Sequence, residues 1–273
     1  MSGVMKVGTG LGMMITPLVV SGLIGAVGWQ NSYRILGALV LVTVIPLAQL
    51  MRRDPREMGL LPDGESQPVT EVPALVEKGL SLRETIRTRQ LWFVCGFYLV
   101  ILFCGNSILV HIVPHAIDLG VSPPIAAGSF AVIGGTSMLG RVVMGFAGDR
   151  IGIKRAMVVC FLILIAALFW LQVTRELWML YLFAAAYGFN HGGFFALISP
   201  LIAGLFGTRS QGTLLGVVIF SGTIGGSIGA LLTGHIFDIT GSYQLAFLIL
   251  LLLAIIGLIL TTLIRPITEG SEK

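Results

Sequence analysis

The feature that most constrains this chain is a succession of long apolar runs without a single Asp, Glu, Lys or Arg. They cover Val7 to Tyr33, Gln90 to Ile117, Leu119 to Gly140, Ala156 to Thr174, Leu177 to Thr208, Ser210 to Phe237 and Ile239 to Ile264. A helix needs roughly 20 apolar residues to cross the hydrocarbon core of a bilayer. The shorter run Ile35 to Met51 also crosses if slightly extended, and the third crossing continues past Arg141 to about Ala147. The runs are continuous rather than alternating, which excludes a closed β-barrel. The expected fold is an all-α, polytopic membrane protein with eight transmembrane helices.

Composition agrees. Only 11% of the 273 residues are charged, against about 25% in an average soluble domain. That excludes a secreted disulfide scaffold, a DNA-binding domain and a disordered chain. Cys95, Cys104 and Cys160 all lie within spans and lack paired spacing, so no disulfide or zinc ribbon is expected. The first 30 residues could pass for a signal peptide, but the apolar run is too long for its core and only Lys6 precedes it.

The basic pI of 9.2 is a topology signal. Fourteen of the 17 basic residues fall in alternate segments on one side of the spans, and only Arg34 and Arg175 fall on the other. By the positive-inside rule both termini and the long polar segment 52–89 are expected in the cytoplasm of a multi-pass protein in the cytoplasmic or plasma membrane. Segment 52–89, with Pro55, Pro62, Pro68 and Pro73, reads as a linker. Its end, Ser81-Leu82-Arg83-Glu84, fits a capping box that starts a short helix. Two spans precede the linker and six follow it. The first two resemble the last two in order: Gly8 to Gly12 matches Gly222 to Gly226, Gly28 with Ser32-Tyr33 matches Gly241-Ser242-Tyr243, and Arg53 with Pro55 matches Arg265-Pro266. Parallel repeats of helices are one way to build a transporter.

One cytoplasmic segment carries a recognisable pattern: Gly145, Asp149-Arg150, Gly152 and Lys154-Arg155, spaced G-x-x-x-D-R-x-G-x-K-R. Gly145 is expected to let the helix end approach a neighbour, and Asp149 to accept from a cation or a facing helix N-terminus. Gly152 permits a tight turn, and the three basic residues anchor at the headgroups. The pattern resembles the signature loop of the major facilitator superfamily in its second-half copy, where it helps latch the cytoplasmic side during alternating access. A simple positive-inside turn without a gating role is the alternative. Arg52 to Gly64 and Val110 to Gly120 resemble the oxalate/formate antiporter and monocarboxylate transporter branch. The resemblance covers the chain as helices five to twelve of a twelve-helix family, the first four being absent. It implies a C-terminal six-helix bundle over 90–264, the last two helices of an N-terminal bundle over 1–51, the linker over 52–89 and a cytoplasmic tail over 265–273.

Arg141 is the one charge inside a span. An intramembrane arginine costs roughly 2.5–3.5 kcal/mol on insertion scales and is expected to face the bundle interior; Gly134, Ser137 and Gly145 share its face. Gly140 to Gly145 is similar to the helix of monocarboxylate transporters whose arginine pairs with the substrate carboxylate, a task suited to a planar guanidinium. The alternative is an arginine that snorkels to the cytoplasmic end, ~9 Å away at 1.5 Å per residue. Ser137 stands where that family places an acidic partner, and the span Ser210 to Phe237 lacks the lysine of oxalate transporters. One cation favours a monoanion over oxalate. All 13 acidic residues map to loops or span ends, so proton coupling, if present, would fall to a histidine or to a missing helix. His191, beside Asn190, is the first candidate, and His111 and His115 come next; a buried neutral histidine is the alternative for each. Asn106 is a further polar group expected to line the pathway. Gly222, Gly226, Ala230 and Gly234 present a small-residue stripe for helix packing.

The function expected from residues and resemblance together is secondary active transport, as antiporter or symporter, of a small organic anion, a monocarboxylate first. A transport-inactive fragment or a helix-bundle partner subunit is the alternative. No span holds an acid–base or nucleophile constellation, so an enzyme is not expected, nor a metal or cofactor. The partners are the anion and the lipid bilayer, without nucleic acid; the chain acts as a monomer if complete and otherwise needs its missing N-terminal part.

Overall fold

The computed structural model describes residues 7–50 and 79–264. Most of the expected linker (52–78) and the tail 265–273 lie outside the described residues. Two compact units form, one of Leu18–Val76 and one of Glu77–Lys273 with Met1–Pro17.

Among the described residues all regular structure is helical, and the element order is α1 (Val7–Leu50), α2 (Leu82–Ile86), α3 (Arg89–Asp118), α4 (Pro123–Ile151), α5 (Ile153–Val173), α6 (Leu177–Phe206), α7 (Gln211–Thr240) and α8 (Gln244–Leu263). Seven helices among the described residues are long and apolar enough to cross a membrane, one fewer than the sequence leads one to expect. The first two expected crossings fall on α1, which counts once, through Gly22–Gln49. Its only interruption is Gly28 (φ 77°, ψ 160°), a backbone state that glycine alone adopts without strain. The boundary expected at Arg34 is therefore helical instead. There Arg34 donates from Nη1 to Asn31 Oδ1 at 3.3 Å, and Ser32 donates to the Gly28 carbonyl at 2.8 Å. The turn from α7 into α8 also uses a glycine of positive φ, Gly241 (φ 66°, ψ 15°), so the kink of α1 and this turn share a residue type but not its ψ.

The expected capping box is present. Ser81 Oγ accepts from the Glu84 backbone N–H, and Glu84 Oε2 accepts from the Ser81 N–H at 2.7 Å. Ser81 Oγ also donates to Glu84 Oε2 at 2.8 Å, and the backbone and side-chain donors of Ser81 together hold the exposed Glu84 carboxyl below its usual range. Upstream, Leu80 N–H donates to the Phe206 carbonyl at 2.9 Å, fastening the segment before α2 to the end of α6. The paired prolines at 123 and 124 occupy the first turn of α4, where a missing N–H costs nothing.

The six helices α3 to α8 pack as one bundle, with α4 laid most extensively on α6 and α3 on α7. The interior holds large aromatics such as Phe97, Phe161, Phe183, Tyr187 and Phe247. Outward-facing side chains are no less apolar: Leu231 is 75% and Phe220 68% exposed. In water such a surface would aggregate, whereas in lipid it is the appropriate solvent-facing layer.

Candidate functional site

The two extensive packings are both made by glycine. On the α4–α6 seam a Cβ at Gly140 would fall on the Phe189 carbonyl and one at Gly192 on the Ser137 carbonyl. One at Gly188 would come within 2.5 Å of the Ile133 carbonyl. On the α3–α7 seam, a Cβ at Gly222 would lie 2.6 Å from the Tyr98 ring and one at Gly229 2.5 Å from the Phe103 carbonyl. Backbone therefore lies on backbone in both, the arrangement by which helices associate without a hydrophobic driving force. The expected stripe on α7 serves this purpose, joined by Gly225 and Gly229, which sequence spacing did not single out.

The α4–α6 seam carries the intramembrane charge. Arg141 is 3% exposed, and Asn190 and His191 on the facing helix are 1% and 8% exposed. Gly192 sits against the backbone nitrogen of Arg141, so Asn190 and His191 lie next to the arginine's own turn. The expectation that Arg141 faces the bundle interior holds. Ser137, the residue in place of an acidic partner, donates its hydroxyl to its own helix at the Gly134 carbonyl, 2.8 Å away. His191 stands in a column of rings at four-residue spacing on α6: Phe183 stacks on Tyr187, Tyr187 lies 5.9 Å from the His191 ring, and Phe195 lies 4.9 Å beyond. Tyr187 also donates to the Gly105 carbonyl of α3 at 3.4 Å. The Asn190 side-chain oxygen is buried without a hydrogen-bond partner among the described residues. A buried acceptor left open is rare in folded proteins and marks a place where an occupant can supply the proton.

Asn106 belongs to the other seam. It rests against Gly226 and stands exposed on the bundle surface, as do Thr223 and Ser227 one turn apart on α7. His111 and His115 form a separate cluster with Tyr243. The Ala230 carbonyl only accepts, so His111 carries its proton on Nε2, which donates to it at 3.0 Å. Nδ1 then accepts from the Tyr243 hydroxyl at 3.4 Å. His115 packs edge-on against Tyr243 and Phe247, with ring centres 5.6 and 5.0 Å away. Among the described residues no three His, Cys, Asp or Glu side chains are grouped to hold a metal ion.

The signature segment differs from its expected form. It is a helix end rather than a loop: α4 runs through Asp149 and Arg150 to Ile151, and only Gly152 (φ 90°, ψ 142°) separates it from α5. Gly145 does not mediate a close approach, since a Cβ there meets nothing within 4 Å; Gly148, 2.8 Å from Leu197 by the same measure, takes that role. Lys154 does not reach toward headgroups. Its ammonium donates to the Thr262 and Ile264 carbonyls at 2.8 and 2.6 Å, capping the C-terminus of α8. Asp149 and Arg150 are exposed.

Comparison with known proteins bears directly on this architecture. The sequence profile of the Major Facilitator Superfamily matches residues 1–143 and 103–273. Monocarboxylate transporter 12 of Rattus norvegicus is 28% identical over 270 residues, covering 90% of this chain and 55% of the relative. The probable nitrate transporter NarT of Staphylococcus epidermidis is 25% identical over 261 residues, covering 94% of this chain and 61% of the relative. The chain thus spans little more than half the length of the curated relatives it matches. The crystal structure of a bacterial homolog of the human lysosomal transporter Spinster, inward-facing and unoccupied, superposes with a TM-score of 0.59. It covers 96% of this chain and 63% of that one at 17% identity, a likeness of fold alone. With a profile match running from end to end and a shared helical fold, this multi-pass membrane chain belongs to the Major Facilitator Superfamily.

Proposed function

We propose that this chain serves secondary active transport of a small organic anion by alternating access, and that Arg141 is the anion-binding group. The observation that carries the reading is the burial of Arg141 on the α4–α6 seam beside Asn190 and His191. A guanidinium in that setting loses its hydration, and a carboxylate is the partner whose geometry its planar fork matches. A single intramembrane cation selects a monoanion over a dianion. The relatives named as transporters of monocarboxylates and of nitrate support that choice. Asn190 and His191 flank the ligand, Asn106 lines the approach, and His191 carries the proton if transport is proton-coupled, with His111 and His115 next in line. The α4–α5 corner, with Gly145, Asp149, Arg150, Gly152, Lys154 and Arg155, serves as the gate. In this reading 90–264 is the complete C-terminal bundle, 1–51 contributes the last two helices of the N-terminal one, and both termini are cytoplasmic.

The test is uptake of lactate, pyruvate, formate and oxalate by membranes holding Arg141→Lys or the parent chain. The variant is expected to insert normally and lose monocarboxylate uptake, because an ammonium keeps the charge and loses the bidentate fork. Undiminished uptake by a correctly inserted variant overturns the assignment.

A further inference from the structure

At the end of the bundle away from the Lys154 cap, the last turns of α3, α5 and α7 and the first turn of α8 enclose a half-open cavity of about 180 Å³. Its walls include His115, Asp118, Gln172, Arg175, Tyr243 and Phe247. Two residues of its wall, His115 and Gln172, each hold a buried Nε2 nitrogen that has no hydrogen-bond partner among the described residues. They come from different helices yet line one cavity. The Gln172 amide nitrogen can only donate, and a buried donor left unmade costs roughly 1–3 kcal/mol, so it calls for an acceptor, while the open His115 Nε2 donates or accepts according to its tautomer. One water needs only ~10–15 Å³ of such space, and this cavity is far larger.

The chemistry of the walls selects the occupant. The α5 side offers donor-only groups, the Gln172 amide nitrogen and the Arg175 guanidinium. The His115 ring is held edge-on between Tyr243 and Phe247, which fixes the direction of its Nε2. The α3 side ends in Asp118, three residues beyond His115 and the last residue of its helix, where helix carbonyls add further negative potential. An anion alone would suit the first wall and be repelled by the second. We propose that this cavity is a second ligand site, separate from Arg141, that binds a small carboxylate carrying an adjacent hydroxyl or amino donor. The carboxylate lies against Gln172, Arg175 and His115, and the donor points to Asp118.

Lactate and propionate share a carbon skeleton and differ by that hydroxyl, so they probe the site directly. The full chain in lipid nanodiscs, labelled with ¹⁵N-histidine, is titrated with each. The His115 ring signals report this cavity, while those of His191 report the α4–α6 seam, so failure at one site is seen apart from failure at the other. Lactate is expected to move the His115 signals at concentrations about tenfold lower than propionate, the worth of one charge-assisted hydrogen bond. Gln172→Leu is expected to weaken lactate about tenfold, and Asp118→Ala to erase the difference between the two acids. His115 signals unmoved by lactate mean that the cavity holds water only and overturn the proposal. Equal response to both acids, or wild-type titration by a folded Gln172→Leu chain, overturns it as well. Should that variant fail to fold, the lactate–propionate contrast in the unaltered chain decides.

Discussion

The two glycine seams of the six-helix bundle use the same packing device and differ in what they do with polar groups. Along α3–α7 the polar groups at the middle of the seam find partners in the protein: Ser107 donates to the Phe103 carbonyl at 2.7 Å, and both nitrogens of His111 are engaged by Ala230 and Tyr243. Along α4–α6 the seam instead buries a guanidinium, an imidazole and an amide whose oxygen stays open. Close packing is thus common to both, while a buried charge beside an open amide oxygen belongs to one. In a low-dielectric interior that difference separates groups satisfied by the protein itself from the group that the proposed anion site leaves open.

The contrast can be broken most forcefully at the backbone. Gly192→Val should destabilise the bundle by about 1–3 kcal/mol or more, since its side chain must displace the Ser137 carbonyl. Gly145→Ala, four residues beyond Arg141 on the same helix, should change stability by no more than about 0.5 kcal/mol because its surroundings are open. Thermal or denaturant unfolding in detergent compares them, and equal losses would dissolve the distinction between packed and open glycines. The histidines sharpen it next. His111→Ala should cost about 1–3 kcal/mol by stranding Tyr243 and the Ala230 carbonyl, whereas His191→Phe, placed in a column of rings, should fold as well as the parent and lose anion binding.

Lys154 marks a limit of what could be read from the chain alone. Its place in the signature pattern is plain, but its acceptors lie 108 and 110 residues away, and no local spacing announces them. Lys154→Met should cost about 1 kcal/mol, seen as faster amide exchange over the last turn of α8. The same limit misdirected the reading of Gly145: whether a glycine is a contact depends on the helix facing it. Arg141 was legible because a lone charge in a span needs no partner to be conspicuous. The cavity at His115 and Gln172 was not, because it is assembled from the ends of four helices.

The smallest expected effect belongs to the α2 cap, outside the seams. Glu84 has its carboxyl held below the usual range by Ser81, so the folded state favours the ionised form. The cap's contribution is complete above the unfolded carboxylate pKa and is lost as pH falls through the lowered one. Amide exchange at Glu84 and Thr85 should therefore rise only on acidification below the ordinary glutamate range, and Glu84→Gln should remove that pH dependence.

What the amino-acid sequence determined by itself is everything governed by local chemistry: helical spans from uncharged apolar runs, the capping box from four adjacent residues, and one charge to be buried. Even there, Gly28 rather than Arg34 interrupts the first helical run, because a positive φ is a backbone property that charge patterning does not report. The tertiary structure alone decided which glycines carry helix contacts, which nitrogen of His111 holds the proton, where Lys154 donates and that a polar cavity exists. Each of these depends on groups brought together from distant parts of the chain, and their free energy is settled by what lies across the interface.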